Sequence, residues 1–177
     1  MIGREILHYK ILAKIGKGNV GVVYKAEDTK QKRVVALKFI KKELTREAKE
    51  REHIIQKIRL MLALDHPHIC PIYDLHEKDA QIIVAMEYVE GDTLRHHLGS
   101  RTMSVDEAIA CATQISSALA DAHDQGIVHG NLNAGNVMIQ PDGTVKVMDF
   151  GLAKALIEKG GVRPEAAALT LTLSPLA

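Results

Sequence analysis

The chain has 177 residues, a net charge of +1, 46% hydrophobic and 25% charged residues, which suits one globular unit with a real core and excludes wholesale disorder. That charge exerts no pull toward nucleic acid or anionic lipid, and without Trp the four Tyr and two Phe leave little to stack on bases. Cys70 and Cys111 make neither a disulfide framework nor a metal set, no apolar run nears membrane-spanning length, and MIGREILHYK lacks a signal-peptide core. A cytoplasmic protein with no membrane segment and no nucleic-acid partner is expected.

In chain order, Tyr9 to Phe39 reads as three strands with glycine punctuation: YKILAKIG, then VVYKAED after the turn GKGNVG, then VVALKFI after the polar turn Thr29 to Arg33. From Lys41 to Leu64 the period becomes helical, with Ile54, Ile58, Met61 and Leu62 on one face, and His66-Pro67 marks the end. CPIYDLHE and QIIVAMEYV supply two more strands. Thr93 to Leu98 reads as a short helix. Ser104 to Glu107 forms a capping box before a longer helix that Gly126 closes. Val137 to Ile139 and Val145 to Met148 make a hairpin about Pro141-Asp142-Gly143. From Ala155 on no period survives, and the segment reads as loop or tail. The plan is α+β and two-lobed: five antiparallel strands and one helix in a small lobe over 1–89, then an incomplete large lobe over 90–177.

Four stretches carry chemistry. Gly16, Gly18 and Gly21 space a turn between two strands, followed by Val23; such a loop can lay backbone amides against phosphates, although a plain glycine hairpin has the same pattern. Lys38, flanked by apolar strand residues beside Ala36, points inward, where an ammonium needs a counter-ion. Met86-Glu87-Tyr88-Val89 joins the two halves. Last, His129 to Asn136 is a polar loop before the hairpin, and Asp149-Phe150-Gly151 follows it, so polar groups stand at both ends of one edge.

Together these stretches resemble the eukaryotic-like Ser/Thr protein kinases of bacteria: G-x-G-x-x-G-x-V at Gly16 to Val23, V-A-L-K ending at Lys38, H-x-x-L-x-x-x-N at His129 to Asn136, and D-F-G at Asp149. The resemblance implies ATP with Mg²⁺ as cofactors and a protein partner or kinase substrate. It places Gly16, Gly18, Gly21 and Lys38 on the phosphates and the backbone of Glu87 and Val89 on an adenine edge. Ala36 and Val23 roof that base, Met138 floors it, and Asn136 and Asp149 ligate the metal. His129 and Phe150, with Met61 and Ile72, are implied to stack between the lobes.

The departures bear on activity. Asn131 stands where the family has the catalytic Asp, Asn133 where it has a lysine, and Gly130 where it has an arginine. An amide cannot take a proton at neutral pH, and general-base assistance is typically worth about 10²–10⁴-fold. Counting from Lys38, in the register that His66-Pro67 sets, Lys57 falls where the family has the glutamate partner of the strand lysine; a register shifted by one turn offers Glu50 or Glu52 instead. Two ammonium groups at ion-pair distance repel by about 1 kcal/mol in water and about 4 at an effective dielectric of 20. Lys38 is then expected to turn to Asp149 or to a phosphate. The favoured expectation is a nucleotide-binding pseudokinase scaffold, truncated in the activation segment. The alternatives are a genuine Ser/Thr kinase with an atypical loop, and a non-functional fragment.

Overall fold

The computed structural model describes residues 1–18 and 20–150, without the side chain of Glu50. Gly151 and the expected tail beyond Ala155 lie outside the described residues. Six antiparallel strands form one sheet: β1 (Glu5–Ile6), β2 (Tyr9–Lys17), β3 (Gly21–Asp28), β4 (Arg33–Ile40), β5 (Ile72–Lys78) and β6 (Gln81–Glu87), in the order β1-β2-β3-β4-β6-β5. The sheet has one more strand than the sequence pattern suggests. Leu7 takes a left-handed φ of 59°, and this tight reversal lets Ile6 pair with Tyr9. A two-residue strand is too short to show a period, so pairing alone creates it.

The central strands are covered on both faces. In β4, Val35 and Leu37 face a cluster with Tyr9, Ile11, Ala26, Ile83 and Ala85. Ala36 and Ile40 face the other way, onto Ile54, Ile58 and Met61 of α1 (Ala48–Met61). This explains why QIIVAM in β6 reads as a continuous apolar run rather than an alternation. Ile58 is fully buried, and shortening it to Ala would cost about 2–5 kcal/mol through lost transfer energy and a cavity. The helix is shorter than its expected span. Lys42–Leu44 forms a separate 3₁₀ turn, whose Leu44 packs, partly buried, against the cluster that holds Ile54 and Ile58.

Beyond Gly91 the second lobe begins. A Cβ on Gly91, whose φ is 124°, would collide with the Ile139 carbonyl. Only glycine lets β7 (Asp92–Thr93) pair so closely with β8 (Val137–Ile139), which in turn pairs with β9 (Val145–Val147). Thr93 caps α2 (Leu94–Ser100) by accepting from the His96 amide. The expected capping box opens α3 (Val105–Asp124): the Ser104 hydroxyl accepts from the Glu107 amide while the Glu107 carboxylate accepts from the Ser104 amide. Gly126, at φ 73°, ends it. Ile115 and Leu119 pack inward against Ala118 and Phe150, whereas Val105 and Ile109 are exposed.

The lobes meet along a backbone seam. The Cys70 amide donates to the Val147 carbonyl (2.9 Å), and the Val147 amide donates to the His68 carbonyl (2.8 Å). β9 therefore belongs to the second sheet yet is hydrogen-bonded to the segment that leads into β5. Among the described residues no helix is long and apolar enough to cross a membrane.

Candidate functional site

The three glycines of the first loop do different work. The Gly18 amide donates to the Gly21 carbonyl at 2.8 Å, which closes the turn. A Cβ on Gly21 would strike the Phe39 carbonyl, so Gly21 answers to the close approach of β3 and β4. A Cβ on Gly18 would meet nothing among the described residues, and one on Gly16 would touch only the Val23 side chain, at an ordinary contact distance of 3.8 Å.

Below the loop, Val89 and Ala36 belong to one buried cluster, and Val20, Val23, Met138 and Met148 pack against it. The expected roof residues Val23 and Ala36 and the expected floor residue Met138 thus meet in one apolar layer. Glu87 and Val89 border it. Among the described residues the Val89 amide and carbonyl have no hydrogen-bond partner, while the Glu87 amide donates to the Pro71 carbonyl at 3.1 Å. The hinge backbone at Val89 thus stands beside this apolar layer.

Lys38 is 6% exposed. Its Nζ donates to Asp149 Oδ2 at 2.6 Å, as the sequence led us to expect with lysine at position 57. Glu52 is exposed, and the side chain of Glu50 lies outside the described residues. Asp149 itself sits at φ 62°, a left-handed conformation that costs a non-glycine residue about 1–3 kcal/mol and clusters at functional positions.

The polar loop is organised about the Asn131 carbonyl, which accepts from both the Asn133 and the Asn136 side-chain amides, each at 2.9 Å. Asn136 has spent its NH₂ group there, so its Oδ1 remains available as a ligand. Asn133 Oδ1 accepts from the Gly135 amide and from Arg95 Nη2 of α2. His129 is buried; its Nδ1 accepts from the Asn131 amide and its Nε2 donates to the Met148 carbonyl. Both ring nitrogens are thus engaged in holding the loop on the hairpin. Burial keeps its pKa below the ordinary histidine value. Its ring lies 4.7 Å from that of Phe150, and Phe150 borders a narrow void that Met61 and Ile72 line from the first lobe.

This arrangement fits a metal held with phosphates rather than by protein alone. Among the described residues no group of three or more His, Cys, Asp or Glu could hold an ion. Asp149 and Asn136 supply only oxygen, and Mg²⁺ commonly binds one or two protein oxygens and completes its shell with water and phosphate. Cys70 does not take part: burial, then the charges of Glu87 and Asp149, push its thiol up to about 12, so it stays protonated and inert.

Three contacts had no sequence expectation behind them: Arg95 with Asn133, Lys146 Nζ with Glu87 Oε2 at 3.0 Å, and His68 Nδ1 with the Val145 carbonyl at 3.1 Å. The only local signal was in β9, where a lysine between two valines must face away from the side they bury.

A family model described as the protein kinase domain matches residues 9–172. The chain is 38% identical over 152 residues to the probable serine/threonine-protein kinase PknB of Lactococcus lactis, which takes in 85% of this chain and 24% of that protein. It is also 38% identical over 158 residues to the serine/threonine-protein kinase PrkC of Bacillus subtilis, covering 88% of this chain and 24% of the other. A doubly substituted variant of the Mycobacterium tuberculosis PknI kinase domain superimposes with a TM-score of 0.79 at 28% identity, covering 86% of this chain and 64% of that one. The chain thus spans about a quarter of the length of the curated relatives it matches. From the family model, these relatives and the shared two-lobed α+β fold, the chain belongs to the protein kinase domain family.

Proposed function

We propose that this chain binds ATP with Mg²⁺ and that its phosphoryl transfer to protein Ser or Thr is lost or very weak, so that it acts as a pseudokinase scaffold in the cytoplasm. The observation that carries the reading is Asn131. It stands where the family carries its proton acceptor, and its side chain is an amide in a loop tied by Asn133 and Asn136. The small lobe (1–89) would supply the base slot and Lys38, and the second lobe (90–177) the metal ligands and the loop.

In this reading Val23, Ala36 and Met138 enclose the base, Glu87 and Val89 present their backbone to its edge, and the glycine loop from Gly16 to Gly21 meets the phosphates together with Lys38. Asp149 and Asn136 Oδ1 hold the metal, which when bound neutralises phosphate charge. Asn131 orients a hydroxyl by hydrogen bonding but removes no proton from it. With Asn133 in place of a lysine, the loop itself carries no cation; Arg95 is the nearest one bonded to it.

A second reading, a slow but genuine Ser/Thr kinase, is favoured by the complete Lys38, Asn136 and Asp149 set. One experiment separates the two. Nucleotide-dependent thermal shift with and without Mg²⁺ is read beside transfer of labelled phosphate to a mixed Ser/Thr peptide pool. A ligand at 100 times its Kd stabilises by about 2.7 kcal/mol, so a clear shift without transfer supports the pseudokinase. No shift at millimolar ATP and Mg²⁺ sinks nucleotide binding. Robust transfer that Asp149→Ala abolishes establishes the kinase instead.

A further inference from the structure

Two ion pairs tie β9 and the turn after it to the six-stranded sheet. Lys38–Asp149 belongs to the phosphate site; Lys146–Glu87 has no role in the reading above. Val145 and Val147 are buried on one side of β9, so strand alternation turns Lys146 to the other side, toward the hinge. Its Nζ lies 3.0 Å from Glu87 Oε2, with the two side chains 14% and 25% exposed. That oxygen is itself buried and, among the described residues, meets no well-aligned hydrogen-bond donor, so the Lys146 ammonium is what balances its charge.

Glu87 is held through its backbone as well. Its amide donates to the Pro71 carbonyl, and its carbonyl accepts from Cys70 Sγ at 3.6 Å. Cys70 in turn is hydrogen-bonded to Val147 of β9. The first hinge residue therefore rests on β9 by side chain and, through Cys70, by backbone. The two ion pairs also land on neighbouring strands, since β4 pairs with β6 with Lys38 opposite Val84 and Val35 opposite Glu87. One is exposed to competition: a metal that draws on the Asp149 carboxylate weakens its hold on Lys38. The other has no such competitor.

We propose that Lys146 and Glu87 are a positioning pair that keeps the hinge backbone seated on β9, so that the base-binding edge stays in place when the Lys38–Asp149 contact is given up to ligand. The consequence for base binding rests on the nucleotide reading; the seating of the hinge does not.

The test uses the full chain. Amide hydrogen exchange across 86–90 is followed without ligand in the parent, Lys146→Met, Glu87→Gln and the double variant, and adenosine affinity is measured for each. Removing one member leaves a buried charge unbalanced. We expect exchange about tenfold faster in each single variant, no faster in the double variant than in the singles, and adenosine Kd raised about tenfold, a change of 1.4 kcal/mol. Lys146→Arg keeps the charge and should exchange like the parent, which also keeps the test alive if Lys146→Met fails to fold. By contrast, Lys38→Met should weaken ATP but not adenosine. Unchanged exchange, or single-variant effects that simply add in the double variant, overturns the pair. Coupled, faster exchange in a chain that binds neither adenosine nor ATP leaves the pair standing and removes the nucleotide reading.

Discussion

Lys38 and Asp149 meet at 2.6 Å across 111 positions of the chain, the ammonium nearly buried and the carboxylate 23% exposed. A strand lysine in an apolar layer must find an anion, and the left-handed backbone at Asp149 aims one at it. The contact joins the lobes at the point where phosphate and metal would compete for the same two groups.

Asp149→Ala should therefore destabilise the protein even without ligand. A fully buried pair broken on one side costs about 3–5 kcal/mol; the partial exposure of Asp149 lowers this to about 2. Urea unfolding should show the loss. Lys38→Met/Asp149→Leu, which removes both charges, should recover most of it. A double variant no more stable than Asp149→Ala would show that the pair is not what stabilises the seam.

Substitutions at the glycines should separate folding from binding. Gly21→Ala forces a Cβ onto the Phe39 carbonyl, at a cost of about 1–3 kcal/mol, typical of overpacking. Gly18→Ala meets nothing and should leave the melting temperature within a degree or two, about the shift expected from a few tenths of a kcal/mol, while weakening ATP more than adenosine. Equal stability losses at both positions would contradict this division.

Acid should loosen the fold through His129 and His76. Burial lowers both pKa values from the ordinary 6.5, so each is held neutral in the native state and takes up a proton more readily when unfolded. Their contribution is complete above about pH 6.5 and is lost as pH falls from there toward the lowered native values, with a limiting slope of about 1.4 kcal/mol per pH unit for each histidine. Urea midpoints between pH 7.5 and 5.5 should fall more steeply in the parent than in His129→Gln. Parallel profiles would remove His129 from the account.

Asn131→Asp alone should not produce a typical kinase rate, about 1–100 s⁻¹. The carboxylate would return a proton acceptor to a loop where Asn133 still offers no cation and Gly130 no arginine. Groups that act together in catalysis are not additive. Single-turnover transfer assays on Asn131→Asp, and on Asn131→Asp with Asn133→Lys, should show activity rising only in the combined variant. A full rate from the single change would refute this.

Local chemistry made much of this legible beforehand. The capping box at Ser104 and Glu107, the glycine stop at Gly126, the helical face of Ile54, Ile58 and Met61 and the strand before Lys38 depend on neighbours within a few residues. The loop from His129 to Asn136 and the Asp149 turn could be read for the same reason: each is a short run whose residue types carry their own geometry.

What the amino-acid order determined alone was therefore the kind of each element and the chemical inventory of the site, including the amide at position 131. Tertiary structure decided the rest, because the remaining facts are contacts between distant parts of the chain. β1 exists only through its pairing with β2. Gly21 is shown to serve strand packing only when Phe39 is beside it. Lys146 finds Glu87, and Arg95 finds Asn133, only once β9 is seated on the hinge and α2 on the loop. Hydrophobic period places a side chain on a face; which partner waits opposite depends on how the faces are brought together.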